Sequence, residues 1–181
     1  MKKVYILLSR TGTFPSKLIY LFTRKKYTHA SIALEPAADK FYSYGRRRLH
    51  NVFVAGFIHE NVHSGVFELF KEGSCELFML EVPDESYAKI KELVDFHTDN
   101  YDKCKYRYSV FMTMPMGIEN KLDLKLACSQ FVAKMLYESD ACKLPKPPSL
   151  MHPTDFMSID NVKSIYSGKI KDFRFPEQSE E

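Results

Sequence analysis

Leu126-Ala127-Cys128-Ser129-Gln130-Phe131-Val132 opens the best-patterned helix in the chain, over residues 127–138, with Phe131, Val132, Met135 and Leu136 on one face. Most of the regular structure before residue 83 reads as strand instead. Residues 3–8 are rich in strand formers, and residues 28–34 alternate. Glu35-Pro36-Ala37-Ala38-Asp39-Lys40 connects that stretch to a returning strand, Phe41-Tyr42-Ser43-Tyr44. Residues 66–70 and 76–82 suggest a second strand pair across Lys71-Glu72-Gly73-Ser74. Leu18, Ile19, Leu21 and Phe22 predict a short amphipathic helix over residues 14–23, ending at Arg24-Lys25-Lys26. Pro83-Asp84 starts another, with Asp84 as N-cap and Ile90, Leu93, Val94 and His97 at helical spacing. Residues 101–116 are aromatic without a clear period, residues 144–153 form a proline-rich loop, and Thr154-Asp155 suits the cap of a short final helix. Hairpin strands with helices towards both ends predict an α+β fold.

The chain has 181 residues, 45% hydrophobic and 14% aromatic, with only 7 Gly and 9 Pro, which excludes a low-complexity or disordered polymer. That length fits one domain, read as residues 1–175, with residues 176–181 as a frayed tail. No apolar run is long enough for a transmembrane segment. The stretch after Met1-Lys2-Lys3 is too short for the core of a signal peptide, so the expected location is cytoplasmic. Basic clusters occur at Arg24-Lys25-Lys26, Arg46-Arg47-Arg48 and residues 103–107, the last interleaved with Tyr101, Tyr106 and Tyr108. However, 26 basic residues face 23 acidic ones, and no nucleic-acid signature accompanies the clusters. They read as solvated surface, with no nucleic acid as partner.

Cys75, Cys104, Cys128 and Cys142 contain no C-x-x-C pair, so they form neither a zinc-ribbon spacing nor a dense disulfide framework. Cys128 differs from the others by standing in the first turn of a helix. There the macrodipole and unpaired N–H groups favour a thiolate and can hold an oxyanion. His29, in Tyr27-Thr28-His29-Ala30-Ser31-Ile32-Ala33-Leu34, starts a short apolar strand and is the best placed of six His to act as its base. Taken singly, the two residues read more readily as a buried thiol and a half-buried histidine. His59-Glu60-Asn61-Val62-His63 spells the H-E-x-x-H pattern of zinc peptidases, a competing reading with both histidines as ligands. That chemistry needs a helix, whereas Gly56, Gly65 and the β-branched and aromatic flanks favour a polar loop between strands. No metal and no cofactor are expected.

A His leading a strand, then Phe41-Tyr42-Ser43-Tyr44-Gly45-Arg46, then a late Cys-Ser-x-Phe-Val helix start, resembles the permuted NlpC-type papain-like hydrolases. These include the YiiX- and YebB-like bacterial proteins, with lecithin:retinol acyltransferase as a more distant relative. The resemblance covers roughly residues 4–156, and its specificity lies in the order and spacing of short motifs. It implies a circularly permuted papain-like (NlpC-type) fold, with a central antiparallel sheet packed against the helix carrying the cysteine. It further implies Cys128 as nucleophile, His29 as general base and a third polar residue on the neighbouring strand, counted here to Ser43. Serine cannot stabilise an imidazolium by charge, so Tyr42, Glu35 and Glu60 also stand as candidates for that role. The implied function is a cysteine peptidase or amidase, or an acyltransferase, acting through an acyl-enzyme on a small peptide, amino-acid-containing or lipid-acyl substrate. A non-catalytic small-molecule-binding module on the same fold is a rival reading. The sequence sets neither the substrate nor the oligomeric state.

Overall fold

The computed structural model describes residues 1–10, 26–49 and 51–176. Among these, six strands form one antiparallel sheet in the order β4-β3-β2-β1-β5-β8: β1 (Lys2–Arg10), β2 (His29–Ala33), β3 (Phe41–Arg48), β4 (Asn51–Glu60), β5 (Ser74–Val82) and β8 (Lys163–Lys169). The class is α+β, as expected. No helix of the described residues is long and apolar enough to cross a membrane.

The continuous apolar run of β1 follows from its place inside the sheet. Val4, Ile6 and Leu8 face one buried layer with Ile32, Phe57 and Phe131, while Tyr5 and Leu7 face another with Ala33, Phe41 and Phe173. A strand covered on both faces loses the alternation of a half-exposed one. The first layer is closed by α2 (Asp84–Asp99) and α4 (Cys128–Glu138), and α4 packs across β2 and β3. Helix α2 buries Ile90, Val94 and His97 as its period requires, but Pro83 occupies the cap position and Asp84 makes no side-chain cap bond. Helix α4 starts without a Ser or Asp cap. Instead Gln130 accepts from the Ala127 N–H at 3.1 Å and donates to the Ser149 carbonyl at 2.9 Å, anchoring the first turn to the proline-rich loop.

Several expectations change. Residues 66–70 are not a strand: α1 (Gly65–Leu69) is a short helix entered through Gly65 at φ +61°, with Phe67 as its buried side chain. The partners of β5 are therefore β1 and β8. Residues 51–60, expected to end in a polar loop, are a full strand paired with β3. The proposed helix over residues 14–23 lies outside the described residues, as do Arg24, Lys25 and residues 177–181. The aromatic stretch forms a parallel two-strand bridge, β6 (Lys105–Tyr106) with β7 (Lys125–Leu126), around a loop bearing α3 (Val110–Thr113). Thr154-Asp155 falls in a 3-10 turn, Pro153–Ser158, where Asp155 accepts from the His152 N–H at 2.9 Å.

The aromatic stretch is joined to the sheet by Arg47. Its guanidinium donates to the carbonyls of Phe57 and Cys104 at 3.3 and 3.1 Å and to that of Tyr101, and stacks 3.8 Å over the Tyr101 ring. Gly56 permits the close approach, because a Cβ there would stand 2.2 Å from the Cys104 carbonyl oxygen and 2.8 Å from Arg47 Nη2. The obstacle is backbone and cannot swing aside. Gly56→Ala is therefore expected to cost about 1–3 kcal/mol, read as a lower urea midpoint at unchanged m-value. An unchanged midpoint would show that the approach is not tight.

Candidate active site

Cys128 is the first residue of α4 and is 4% exposed, at the end of the sheet where β2 begins with His29. The thiol lies within hydrogen-bonding range of the His29 ring and of the Ala30 and Ser129 backbone N–H groups. On its other side the His29 Nε2 meets both carboxylate oxygens of Glu60, each at 2.9 Å. With Nε2 so engaged, Nδ1 is the nitrogen left for the thiol. Phe67 covers the imidazole edge at a centroid distance of 6.4 Å.

The structure thus brings Cys128 and His29 together and does not bring Ser43 to them. Ser43 is fully buried and its hydroxyl donates to the Ala30 carbonyl at 2.7 Å, so it supports the backbone of β2. The reason is register: with Ile32 opposite Tyr42, Ser43 lies opposite Ser31, and His29 lies opposite Gly45. Gly45 is the β3 residue beside the imidazole, where a Cβ would lie 3.8 Å from His29 Cε1 and 2.6 Å from Ile58 Cδ1. The orienting group therefore comes from one strand further out, as Glu60 at the end of β4. Glu35 pairs with Lys40 instead, and Tyr42 packs on Phe57 and His59, so neither serves the imidazole.

That carboxylate belongs to the H-E-x-x-H pattern, and its geometry argues against a zinc site. His59 and Glu60 are consecutive in a strand, so they project to opposite faces, and His63 lies in the turn beyond. Among the described residues no three His, Cys, Asp or Glu side chains converge as metal ligands. Burial pushes the His59 ring below the usual histidine value.

The electrostatics divide the four thiols. Burial works against ionisation of Cys128, but the His29 hydrogen bond and charge, with the two backbone N–H groups, outweigh it and lower the thiol below its ordinary value. Burial equally opposes a charged His29, and the Glu60 carboxylate and Cys128 together raise the ring well above the usual value. The site therefore favours a thiolate–imidazolium pair. Burial alone pushes Cys75 up to about 12 and Cys142 up to about 11, and burial raises Cys104 against the opposing pull of Tyr44, Arg47 and Lys105.

Tyr106, which the sequence marked only as an aromatic interleaved with a basic cluster, is a site residue. Its hydroxyl lies within hydrogen-bonding range of both the Cys128 thiol and the Cys128 backbone N–H. Burial and the neighbouring thiolate hold it protonated, hence able to donate. A cavity of about 310 Å³ opens at Cys128, lined by Tyr106, Val110, Phe111, Met114, Leu150 and Pro153. Thr28, Lys146 and His152 add polar groups to its wall, and Lys146 is paired with Asp155 at 2.9 Å.

Three arginines of the expected basic surface are bonded to the chain itself. Arg46 donates to the Leu49 carbonyl and Arg47 to three carbonyls. Arg107 donates to the Lys121 and Lys125 carbonyls and pairs with Asp123 at 3.3 Å. Comparison with known proteins finds no family model that matches the chain and no curated protein that matches it.

The thiol environments can be separated directly. Iodoacetamide labelling across pH with peptide mapping is expected to modify Cys128 first, with a midpoint below the ~8.5 of a free thiol. Glu60→Gln removes the anion that sustains the imidazolium, so the Cys128 midpoint should rise towards that value. Equal labelling of all four cysteines would remove the basis for an activated thiol.

Proposed function

We propose that this protein is a cysteine hydrolase of the permuted NlpC type, with Cys128 as nucleophile, His29 as base and acid, and Glu60 as the group that orients and charges His29. The observation that carries the reading is the line Glu60–His29–Cys128, with an activated thiol at a helix start and a carboxylate on the far ring nitrogen. Chain order supports the permuted variant of the fold, since the histidine strand precedes the cysteine helix and an antiparallel sheet packs on that helix. On this reading the protein acts in the cytoplasm.

The thiolate attacks the carbonyl carbon of an amide or ester, forming the C–S bond and moving the π pair onto oxygen. The Cys128 N–H and the Tyr106 hydroxyl, which stand beside the thiol, serve as donors to that oxyanion. As the tetrahedral species collapses, the imidazolium gives its proton to the leaving nitrogen or oxygen, releasing an amine or alcohol and leaving a thioester. His29 then takes a proton from water, or from an acceptor alcohol or amine, as that molecule attacks. Collapse returns the thiolate and releases the acyl product. Glu60 stabilises the imidazolium at each protonated stage, the role that Ser43 could not fill by charge.

The apolar wall formed by Val110, Phe111, Met114, Leu150 and Pro153 favours an apolar acyl portion, either a fatty acyl chain or an apolar amino-acid side chain. A panel of activated esters and amides with increasing acyl length tests this. Cys128→Ala and His29→Ala should fall to background, and Glu60→Gln should lose about 10²–10⁴-fold in kcat. Ser43→Ala should keep kcat within about threefold while losing about 1–2 kcal/mol of stability. For the wild type the pH profile should be bell-shaped, rising through the lowered Cys128 ionisation and falling at the raised His29 ionisation. In Glu60→Gln the alkaline limb moves to lower pH. If wild type and Cys128→Ala are equally inactive across the panel, the cavity belongs to a binding module instead.

A further inference from the structure

The loop between β6 and β7 has two apolar sides. Val110, Phe111 and Met114 turn inward and line the cavity at Cys128. Met112 and Met116, 72% and 69% exposed, turn outward together with Ile118. The tip of the β3–β4 hairpin, held to the loop's base by Arg47, adds Leu49 and Phe53, the latter 85% exposed. Long unbranched or aromatic side chains standing free of any core are unusual on a closed surface, and here Met112 and Met116 alternate in sequence with Phe111 and Met114 of the cavity wall.

Charge accompanies them. Residues 46–53 and 101–125 hold eight Lys/Arg and three Asp/Glu, an excess of five where the whole chain has an excess of three. Arg48, Lys103, Lys105, Lys121 and Lys125 are exposed. Apolar tips on a loop whose base carries the exposed Lys105, Lys121 and Lys125 match the chemistry of an anionic bilayer surface, in which the tips enter the acyl boundary and the cations meet lipid phosphates. Single-stranded nucleic acid fits less well, because it stacks on successive aromatic rings, whereas Met112, Met116 and Ile118 offer none. Tyr101 is already stacked under Arg47, and Tyr106 is enclosed at the thiol.

We propose that this face docks on anionic lipid bilayers, with Met112, Met116, Ile118 and Phe53 as the inserting side chains and the cations at the loop's base as the electrostatic contact. Docking does not depend on the chemistry at Cys128. Its further consequence, passage of an apolar acyl group from the bilayer past Met112 into the cavity, rests on the hydrolase reading above.

Flotation of the full chain with vesicles tests the docking, using phosphatidylcholine alone and phosphatidylcholine with phosphatidylglycerol. Wild type and Cys128→Ala should both float with the phosphatidylglycerol vesicles, and flotation should fall as salt shortens the Debye length from ~10 Å to ~3 Å. Met112→Glu/Met116→Glu and Lys105→Glu/Lys125→Glu should each weaken partitioning about tenfold or more. Unchanged melting and unchanged Cys128 labelling would show that these variants are folded. The chain has no Trp, so Met116→Trp supplies a single reporter that should shift to the blue and resist acrylamide quenching when vesicles are added. The proposal is overturned if wild type stays in the dense fraction, if Met116→Trp remains water-exposed with vesicles present, or if both double variants float as well as wild type. It is equally overturned if the face instead binds single-stranded RNA without binding vesicles, or closes into a dimer that the methionine variants dissociate. Loss of ester hydrolysis in Cys128→Ala with flotation retained separates the two readings.

Discussion

A carboxylate and an imidazole that meet at 2.9 Å inside a protein must each surrender water, and the attraction offsets that loss only when geometry is close and further partners are in place. Glu60 supplies the geometry by presenting both oxygens to one ring nitrogen of His29, and Cys128 supplies the further partner on the other. The arrangement sets conditions on everything around it. Strand β3 must carry a glycine beside the ring, β4 must run far enough to deliver Glu60, and α4 must begin where β2 begins. Removing the anion would leave an enclosed histidine with no reason to stay charged, and the thiol would lose the cation that holds it ionised.

The same neighbourhood shows why burial does not make a cysteine reactive. Cys75, Cys104 and Cys128 are all buried, and burial alone drives a thiol towards its neutral form. Cys128 escapes because three kinds of donor converge on one sulfur: an imidazole, the N–H of its own helix start and the Ala30 N–H of β2. The strand donor requires the sheet and helix to meet at their ends. Packing of α4 across β2 and β3 produces that meeting, and the Gln130 bonds hold the first turn in place.

What could be read from residues alone follows from how local each signal is. Helix α4 and the placement of Cys128 were legible because helical period and a helix start are encoded within a dozen residues. His29 was legible from one short apolar strand. Glu60 was visible only as one of several candidate orienters, since its proximity to His29 depends on the β3–β4 register and on an absent side chain at Gly45, neither of which is local. The letters around Glu60 even advertised a different chemistry, because a regular expression has no backbone and the zinc pattern needs a helix where this chain has a strand end. Val66 and Phe67 misled for the opposite reason. Their strand preference is overridden by the Gly65 turn and by a single buried contact at Phe67.

Lys105 and Tyr106 pair side by side with Lys125 and Leu126, so the loop between β6 and β7 leaves and re-enters the fold at one neck. Arg107 tightens the neck by binding the Lys121 and Lys125 carbonyls. A loop closed in this way tolerates changes of length cheaply, each doubling costing only about 0.6 kcal/mol of closure entropy. Residues beyond the neck can therefore diverge without displacing Leu126 or the helix that follows it. In evolutionary terms, the part that shapes the cavity wall is a replaceable cassette, and the part that bears the thiol is the chassis.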